Sequence, residues 1–279
     1  MKIYFLATGF ASVPKGLFVE GEKWKRICFP ILTVLIERDG DLILFDTGMG
    51  ERINDEMKPA RYRGNWFFSK FIMKTEFNPD RDPLIRQLPT LGFDPKKVKY
   101  IVISHLHWDH AGGILDFPDA QCLINKKEWE AANAKDSYKH AYIAEQYQHL
   151  KECNLNPIST IPGKPFLSFS SSYDIFGDGQ MVLVDLPGHT KGLTGMILTM
   201  TSGRRFLFSG DSIYFPENLE YNKPKSKLMK MMVHEDPEAD RTVDKLHQLA
   251  KLEPNLEMVG CHDHRIPGRY DLSPAFYEK

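Results

Sequence analysis

Apolar positions along this chain gather into short β-prone runs, and helical periodicity appears between those runs rather than across them. Residues 1–8 read as a first strand. Residues 31–37 and 41–45 are two more, separated by Asp39-Gly40, a hairpin signal because both residue types tolerate positive φ. Tyr100-Ile101-Val102-Ile103 has no polar alternation, which predicts a buried strand. Residues 121–124, 181–185, 193–200 and 204–208 read as strands too, with Ser202-Gly203 marking the turn between the last two. Residues 40–45 and 203–208 look alike, and each delivers the chain to an acidic or small-residue loop.

Helical signals fill the intervals. Asp82-Pro83 pairs an N-cap with a first-turn proline, and Gly92 is a stop. Asn125-Lys126-Lys127-Glu128 has capping-box spacing ahead of residues 129–134. Ile143, Tyr147 and Leu150 recur at helical spacing, which puts His140 and His149 on a helix surface and outside any site. Another helix begins at Asp236-Pro237, carries Val243, Leu246 and Ala250 on one side, and closes at Pro254. Between residues 51 and 81 the pattern loosens, and Tyr62, Trp66, Phe67, Phe68, Phe71, Ile72, Met73 and Phe77 crowd together. That segment either buries an apolar side against the core, caps a site, or makes a subunit contact. Strands followed by helices in two sets predict an α/β fold, and periodicity supports nothing finer.

The length of 279 residues suits one large domain spanning 1–279 with a well-buried core, and no stretch has linker composition. Lys plus Arg (36) and Asp plus Glu (37) nearly cancel, so no general field draws nucleic acid or an anionic membrane. A small, fairly neutral substrate fits that balance, with the chain a monomer or a homodimer. Cys28, Cys122, Cys153 and Cys261 show neither C-X-X-C spacing nor the density of a disulfide scaffold, so free thiols in a reducing compartment are expected. The N-terminal apolar run is short for a secretion signal and no run approaches the ~18 to 20 apolar residues of a membrane span. The expected location is cytoplasmic.

Candidate chemistry concentrates in Ser104-His105-Leu106-His107-Trp108-Asp109-His110-Ala111-Gly112-Gly113, directly after the apolar run at 100–103. At the end of a strand, residues two apart point the same way, so His105 and His107 can grip one ion as a pair. Gly112 and Gly113 then permit a turn that aims Asp109 and His110 at a second ion close by.

This His-X-His-X-Asp-His motif resembles that of the metallo-β-lactamase superfamily of hydrolases, and the likeness extends along nearly the whole chain. A His following a strand appears as His189 in Pro187-Gly188-His189-Thr190, and an Asp after the next strand pair as Asp211 in Ser209-Gly210-Asp211. The late His is met by His262 in Gly260-Cys261-His262-Asp263; spacing alone also permits His264, but the family ligand directly precedes an Asp. The resemblance implies a four-layer αββα sandwich. It also implies that His105, His107 and His189 hold one ion, that Asp109, His110 and His262 hold a second, and that Asp211 bridges them. Asp46, in the Asp46-Thr47-Gly48-Met49-Gly50 loop, then reads as a buried hydrogen-bond hub behind the ions, and His264 as a residue behind the ligands or at the pocket mouth. Cys261 reads as a packed thiol in preference to a ligand.

Imidazole nitrogens and carboxylate oxygens suit zinc, with iron, manganese and cobalt compatible. Two ions about 3.5 to 4 Å apart can share a water and bring its pKa towards ~7, so the implied nucleophile is a bridging hydroxide. The main group of class B β-lactamases has Cys where Asp211 stands, and glyoxalase II enzymes continue the His-Thr motif with a further His that is absent from Gly188-His189-Thr190-Lys191-Gly192-Leu193. Ribonuclease and phosphodiesterase members are expected to carry basic patches that this chain lacks. A structural site would be closed by four ligands, often cysteines, so a non-enzymatic binding module fits less well. The chain is most similar to the N-acyl homoserine lactone lactonases of the quorum-quenching branch: His105 to Gly113, the Asp46 loop and Gly210-Asp211-Ser212-Ile213-Tyr214-Phe215 carry the likeness. That implies a lactone substrate, a hydrogen bond from Tyr214 to it, and an acyl chain lying against Trp66, Phe67, Phe68 and Phe215. Core packing is the competing account of those aromatics and of Tyr214. Thioester, ester or phosphodiester hydrolysis is the alternative reaction.

Overall fold

In the structure, a computed structural model, residues 1–151, 155–158, 163–233 and 237–273 are described. Strands β1 (Lys2–Pro14) and β2 (Arg26–Arg38) pair antiparallel, with a register shift between Ala7 and Phe10. A tight turn at Asp39 (φ 52°) and Gly40 (φ 90°) joins β2 to β3 (Asp41–Phe45), with Arg38 opposite Asp41. Beyond β3, the strands β4 (Val98–Ile103), β5 (Gln121–Asn125) and β6 (Leu155–Ile158) add in parallel. The second sheet is built from β7 (Tyr173–Asp174), β8 (Met181–Asp185), β9 (Thr194–Thr199), β10 (Arg205–Phe208) and β11 (Leu256–Val259), in the order β11-β10-β9-β8-β7. A last short strand, β12 (Leu272–Ser273), pairs with β1 and completes the seven-stranded sheet β12-β1-β2-β3-β4-β5-β6.

Side-chain alternation sorts the apolar runs into layers. From β4, Val102 joins an inner core with Phe45, Leu183, Met196, Phe206 and Phe208, whereas Ile101 and Ile103 face outward onto Leu84, Leu88 and Ala132. From the second sheet, Val184, Ile197 and Leu207 face outward onto Leu246 and Leu249 of the helix Glu238–Leu252. Both faces of both sheets are therefore covered, which explains why these strands read as unbroken apolar runs and gives the αββα order. No helix among the described residues is long and apolar enough to cross a membrane.

Local departures from the sequence pattern have identifiable causes. The helix after Pro83 runs Leu84–Thr90, but Asp82 does not cap it: its Oδ2 accepts from Asn78 N at 2.7 Å. Ile143, Tyr147 and Leu150 are buried, yet the segment forms the 3₁₀ turns Ala144–Gln146 and Gln148–Lys151 and not a continuous helix. Segment 51–81 breaks into short helical pieces, including Arg63–Phe67 and the π-turn Phe68–Met73, with Tyr62 and Met73 packed in the core. Cys28, Cys122 and Cys261 are free thiols; Cys153 and Asp236 lie outside the described residues.

Candidate metal centre

The carboxyl ends of β3, β4, β8, β10 and β11 open at one edge of the two sheets, and the loop after each carries candidate residues. His105 and His107 follow β4, Asp109 and His110 sit in the helical turn Trp108–Ala111, His189 follows β8, Asp211 follows β10, and His262 follows β11. Hydrogen bonds from Thr194 N to Ser104 O (2.9 Å) and from Leu32 N to Cys261 O (3.0 Å) fasten these loops across the sheet edge.

The structure brings all seven side chains together, each less than a tenth exposed. Ligating atoms of His105, His107 and His189 lie within 4.8 Å of one another, and so do those of Asp109, His110 and His262. Asp211 stands between the two clusters. Its Oδ1 is 3.3 Å from His110 Nε2 and 3.4 Å from His262 Nε2, while its Oδ2 is 3.5 Å from His189 Nε2.

Among the described residues, Nε2 of His105 is buried without a hydrogen-bond partner, and Nε2 of His110 and His262 meet Asp211 Oδ1 only at 3.3 and 3.4 Å, outside good hydrogen-bond geometry. Leaving such groups unsatisfied costs about 1 to 3 kcal/mol each, and a cation coordinated by them removes that cost. Five imidazoles and two carboxylates, borderline nitrogen with hard oxygen, form a donor set suited to zinc and its neighbours. Burial, reinforced by the neighbouring rings of His110 and His107, holds His105 well below the usual histidine range. Burial and His189 do the same to His107, so both rings are neutral and able to ligate. At His110 burial also favours the neutral ring, but Asp211, Asp109 and Asp46 outweigh it and raise the ring well above its ordinary value. Burial pushes Asp109 up, while at Asp211 the His262 and His110 rings overcome burial and hold the carboxylate ionised. Carboxylates thus demand positive charge at the centre of the cluster.

Behind His110, Asp46 is fully buried at φ 61°, a left-handed conformation that Asp tolerates better than most residues. Its Oδ2 lies 2.9 Å from His110 Nδ1 and accepts from Ser104 Oγ at 2.7 Å, and its Oδ1 accepts from Ser104 N at 2.7 Å. The Cys261 thiol is buried, donates to Asp46 Oδ2 at 3.6 Å, and is pushed up by that burial. The bend after His110 does not use the conformational freedom of Gly112, whose φ is −60°. It uses the missing side chain: a Cβ on Gly112 would sit 2.7 Å from Gly50 N, in the loop that carries Asp46.

Glu128 is the residue the sequence pattern misassigns. Asn125 does cap Lys127 N at 3.0 Å, but Glu128 turns away from that cap into the interior, where it is fully buried. Oε1 accepts from Leu106 N (2.9 Å) and Tyr142 Oη (3.1 Å); Oε2 accepts from Thr190 Oγ1 (2.6 Å) and Gly192 N (3.2 Å). Burial pushes this carboxyl up against the pull of those donors. Gly192 packs directly on this residue, where a Cβ would lie 2.1 Å from Glu128 N, a closeness that only the fold shows.

A cleft of about 390 Å³ opens above the clusters. Phe67 and Phe68 line it with Phe18, Ile72, Met73 and Met229. Tyr214 is also on its wall, with its ring 5.6 Å from His189 and 5.1 Å from His262, and Lys225 Nζ 4.2 Å from the ring centre. Two of the expected wall residues are placed elsewhere. Trp66 is 45% exposed and packs edge-on against Phe71, outside the lining; Phe215 is fully buried against Phe18 and Phe29. His264 also stays off the cleft, with Nε2 3.1 Å from Glu217 Oε2. His140, set aside on helical spacing, does line it, because the 3₁₀ turn Ser137–His140 is tethered to the ligand loop through Trp108 N and Ala141 O (3.1 Å).

Residues 26–256 match the sequence profile described as the metallo-beta-lactamase superfamily. The chain is 26% identical over 269 residues to the N-acyl homoserine lactonase AiiA of Bacillus thuringiensis subsp. kurstaki, covering 94% of this chain and 93% of that one. It is 27% identical over 198 residues to the N-acyl homoserine lactonase AttM of Rhizobium radiobacter, covering 69% and 68%. Among solved structures, an N-acyl homoserine lactone hydrolase with the product N-hexanoyl-L-homoserine at its catalytic metal centre superposes with a TM-score of 0.74 at 23% identity, over 99% of this chain and 98% of that one.

Proposed function

Since the chain belongs to the metallo-β-lactamase superfamily, we propose that it is a metal-dependent hydrolase that opens the lactone ring of N-acyl homoserine lactones, a quorum-quenching activity. The observation that carries this reading is Asp211 facing both His/Asp clusters beneath a mostly apolar cleft. The relatives named as N-acyl homoserine lactonases, alike over most of the chain, supply the substrate class. His105, His107 and His189 would hold one divalent ion, Asp109, His110 and His262 the other, and Asp211 both, with zinc the best match to the donors. Such a pair, when bound, supplies Lewis acidity and a water acidic enough to ionise near neutral pH.

The chain's own residues do the rest. Asp109, buried beside the cleft, accepts and passes on the proton that must reach the ring oxygen as the ester bond breaks. Tyr214 donates a hydrogen bond to a carbonyl oxygen of the substrate, stabilising the charge that develops there. Phe18, Phe68, Ile72, Met73 and Met229 offer the acyl chain an apolar wall, and burying it there expels water from the reacting ester. Free Cys28, Cys122 and Cys261 fit a reducing, cytoplasmic setting.

The test is a hydrolysis panel of homoserine lactones of several acyl lengths, simple lactones, S-lactoylglutathione, a β-lactam and a phosphodiester. Highest kcat/KM on an acylated homoserine lactone is expected. Preference for the thioester or phosphodiester over every lactone would overturn the substrate while leaving the metal centre untouched.

A further inference from the structure

We propose that Glu128 is a positioning residue dedicated to the His105–His107–His189 cluster, fixing the two loops that carry these histidines without touching the histidines themselves. The inference rests on the two-cluster reading above and extends it to a residue outside both clusters.

The geometry divides the labour. Leu106, whose amide donates to Glu128 Oε1, lies between His105 and His107, so that bond sets the peptide from which both rings depart. Thr190 and Gly192, which donate to Oε2, belong to the turn directly after His189. Tyr142 donates to Oε1 and presents its ring to His107, centroids 5.0 Å apart. One carboxylate thereby cross-links the His105–His107 stretch after β4, the turn after His189 and the segment at 142. None of its four hydrogen bonds reaches the segments bearing His110, Asp211 or His262. Those of Asp46 are shared: they reach the His110 ring and Cys261 beside His262, and also Ser104, whose Oγ lies 3.0 Å from His105 Nδ1.

All four partners of Glu128 are donors, so only a group accepting through both oxygens satisfies them. A glutamine of the same shape would aim its NH₂ at two donors on one side. The loops would remain folded around the core but lose their fixed separation, and the cluster they carry would lose affinity for an ion by about 10- to 100-fold, the usual effect of losing a group that orients a ligand.

The experiment is zinc titration of the apoprotein against a competing chelator, resolving two constants, with His189→Ala and His262→Ala assigning each constant to its cluster. In Glu128→Gln the His189-dependent constant should weaken by about 10- to 100-fold while the His262-dependent one stays within about threefold; Asp46→Asn, whose carboxylate holds both His110 and Ser104 beside His105, should weaken both. Tyr142→Phe and Thr190→Val, each removing one donor, should shift the same constant less, which keeps the test decisive if Glu128→Gln does not fold. Glu130→Gln, an exposed neighbour on the same helix, should change neither. Wild-type protein binding two ions, with both constants weakened equally or neither weakened in the Glu128, Tyr142 and Thr190 variants, would overturn the role of Glu128 alone. Wild-type protein binding no more than one ion would overturn the two-cluster reading, and this inference with it.

Discussion

Asp46 Oδ2 lies 2.9 Å from Nδ1 of His110, which leaves His110 Nε2 turned toward Asp211. One carboxylate thus fixes the rotation of the ring and fills its rear nitrogen. Asp46→Asn keeps the shape but removes the charge and one acceptor, so the ring should lose its fixed orientation. Steady-state assays at limiting zinc should show activity falling about 10- to 100-fold, with partial recovery when zinc is raised. Unchanged activity at limiting zinc would mean that the ring is held by packing alone.

Tyr214 is on the cleft wall, 5.6 Å from the His189 ring and 5.1 Å from the His262 ring. Tyr214→Phe should reduce lactone turnover by the ~1 to 3 kcal/mol of one lost hydrogen bond to developing charge, roughly 5- to 150-fold in kcat. Metal content, measured on the same samples, should not change. A variant with wild-type kcat would reduce Tyr214 to a packing residue.

Gly112 offers a prediction whose sign discriminates. At φ −60° alanine is the better residue by backbone propensity, by up to about 1 kcal/mol. Its Cβ would nevertheless meet Gly50 N at 2.7 Å and Gly48 O at 2.8 Å, both backbone atoms. Gly112→Ala should therefore lower the unfolding free energy by about 1 to 3 kcal/mol, read from urea midpoints. Equal or greater stability would show that the Asp46 and His110 loops can separate freely.

Acid stability should report on Glu217. Burial pushes its carboxyl up, but the hydrogen bonds from His264 and Lys15 pull it down to about 2, from an ordinary value of 4.5. A carboxylate lowered on folding stabilises the protein above its unfolded value, and that contribution disappears as pH falls from about 4.5 to about 2. Glu217→Gln should thus be less stable than wild type at pH 7, by ~1 kcal/mol for this partly solvated pair, and the gap should close towards pH 2. Urea midpoints across that range give the answer; a gap independent of pH would remove the ionic contribution.

Strands β3, β4, β8 and β10 were legible because burial on both faces strips their polar alternation, and the candidate ligands because a His or Asp directly after such a run has few structural reasons to be there. Glu128 was hidden by a coincidence of spacing: Asn125-X-X-Glu128 is a capping signature, and only the loop folding back at Gly192 shows that the carboxylate is needed elsewhere. Segment 143–150 departs from its helical spacing for a related reason: 3₁₀ turns with intervening kinks can bury residues at near-helical intervals, and the turn before them places His140 on the cleft. In the aromatic segment, composition marked a cluster near the cleft but could not say which rings face it: Phe68 does, Trp66 packs on Phe71 towards solvent, and Phe215 fills the core behind Tyr214.

Under the function proposed above, two ions held by His105, His107, Asp109, His110, His189, Asp211 and His262 would support lactone hydrolysis. The most direct measurement is a titration of zinc into metal-stripped protein while hydrolysis of N-hexanoyl homoserine lactone is followed. Activity should be absent in the stripped protein and rise to a plateau at about two equivalents per chain, with Asp211→Asn failing to reach it. Hydrolysis that persists without metal, or a plateau below one equivalent, would contradict the account.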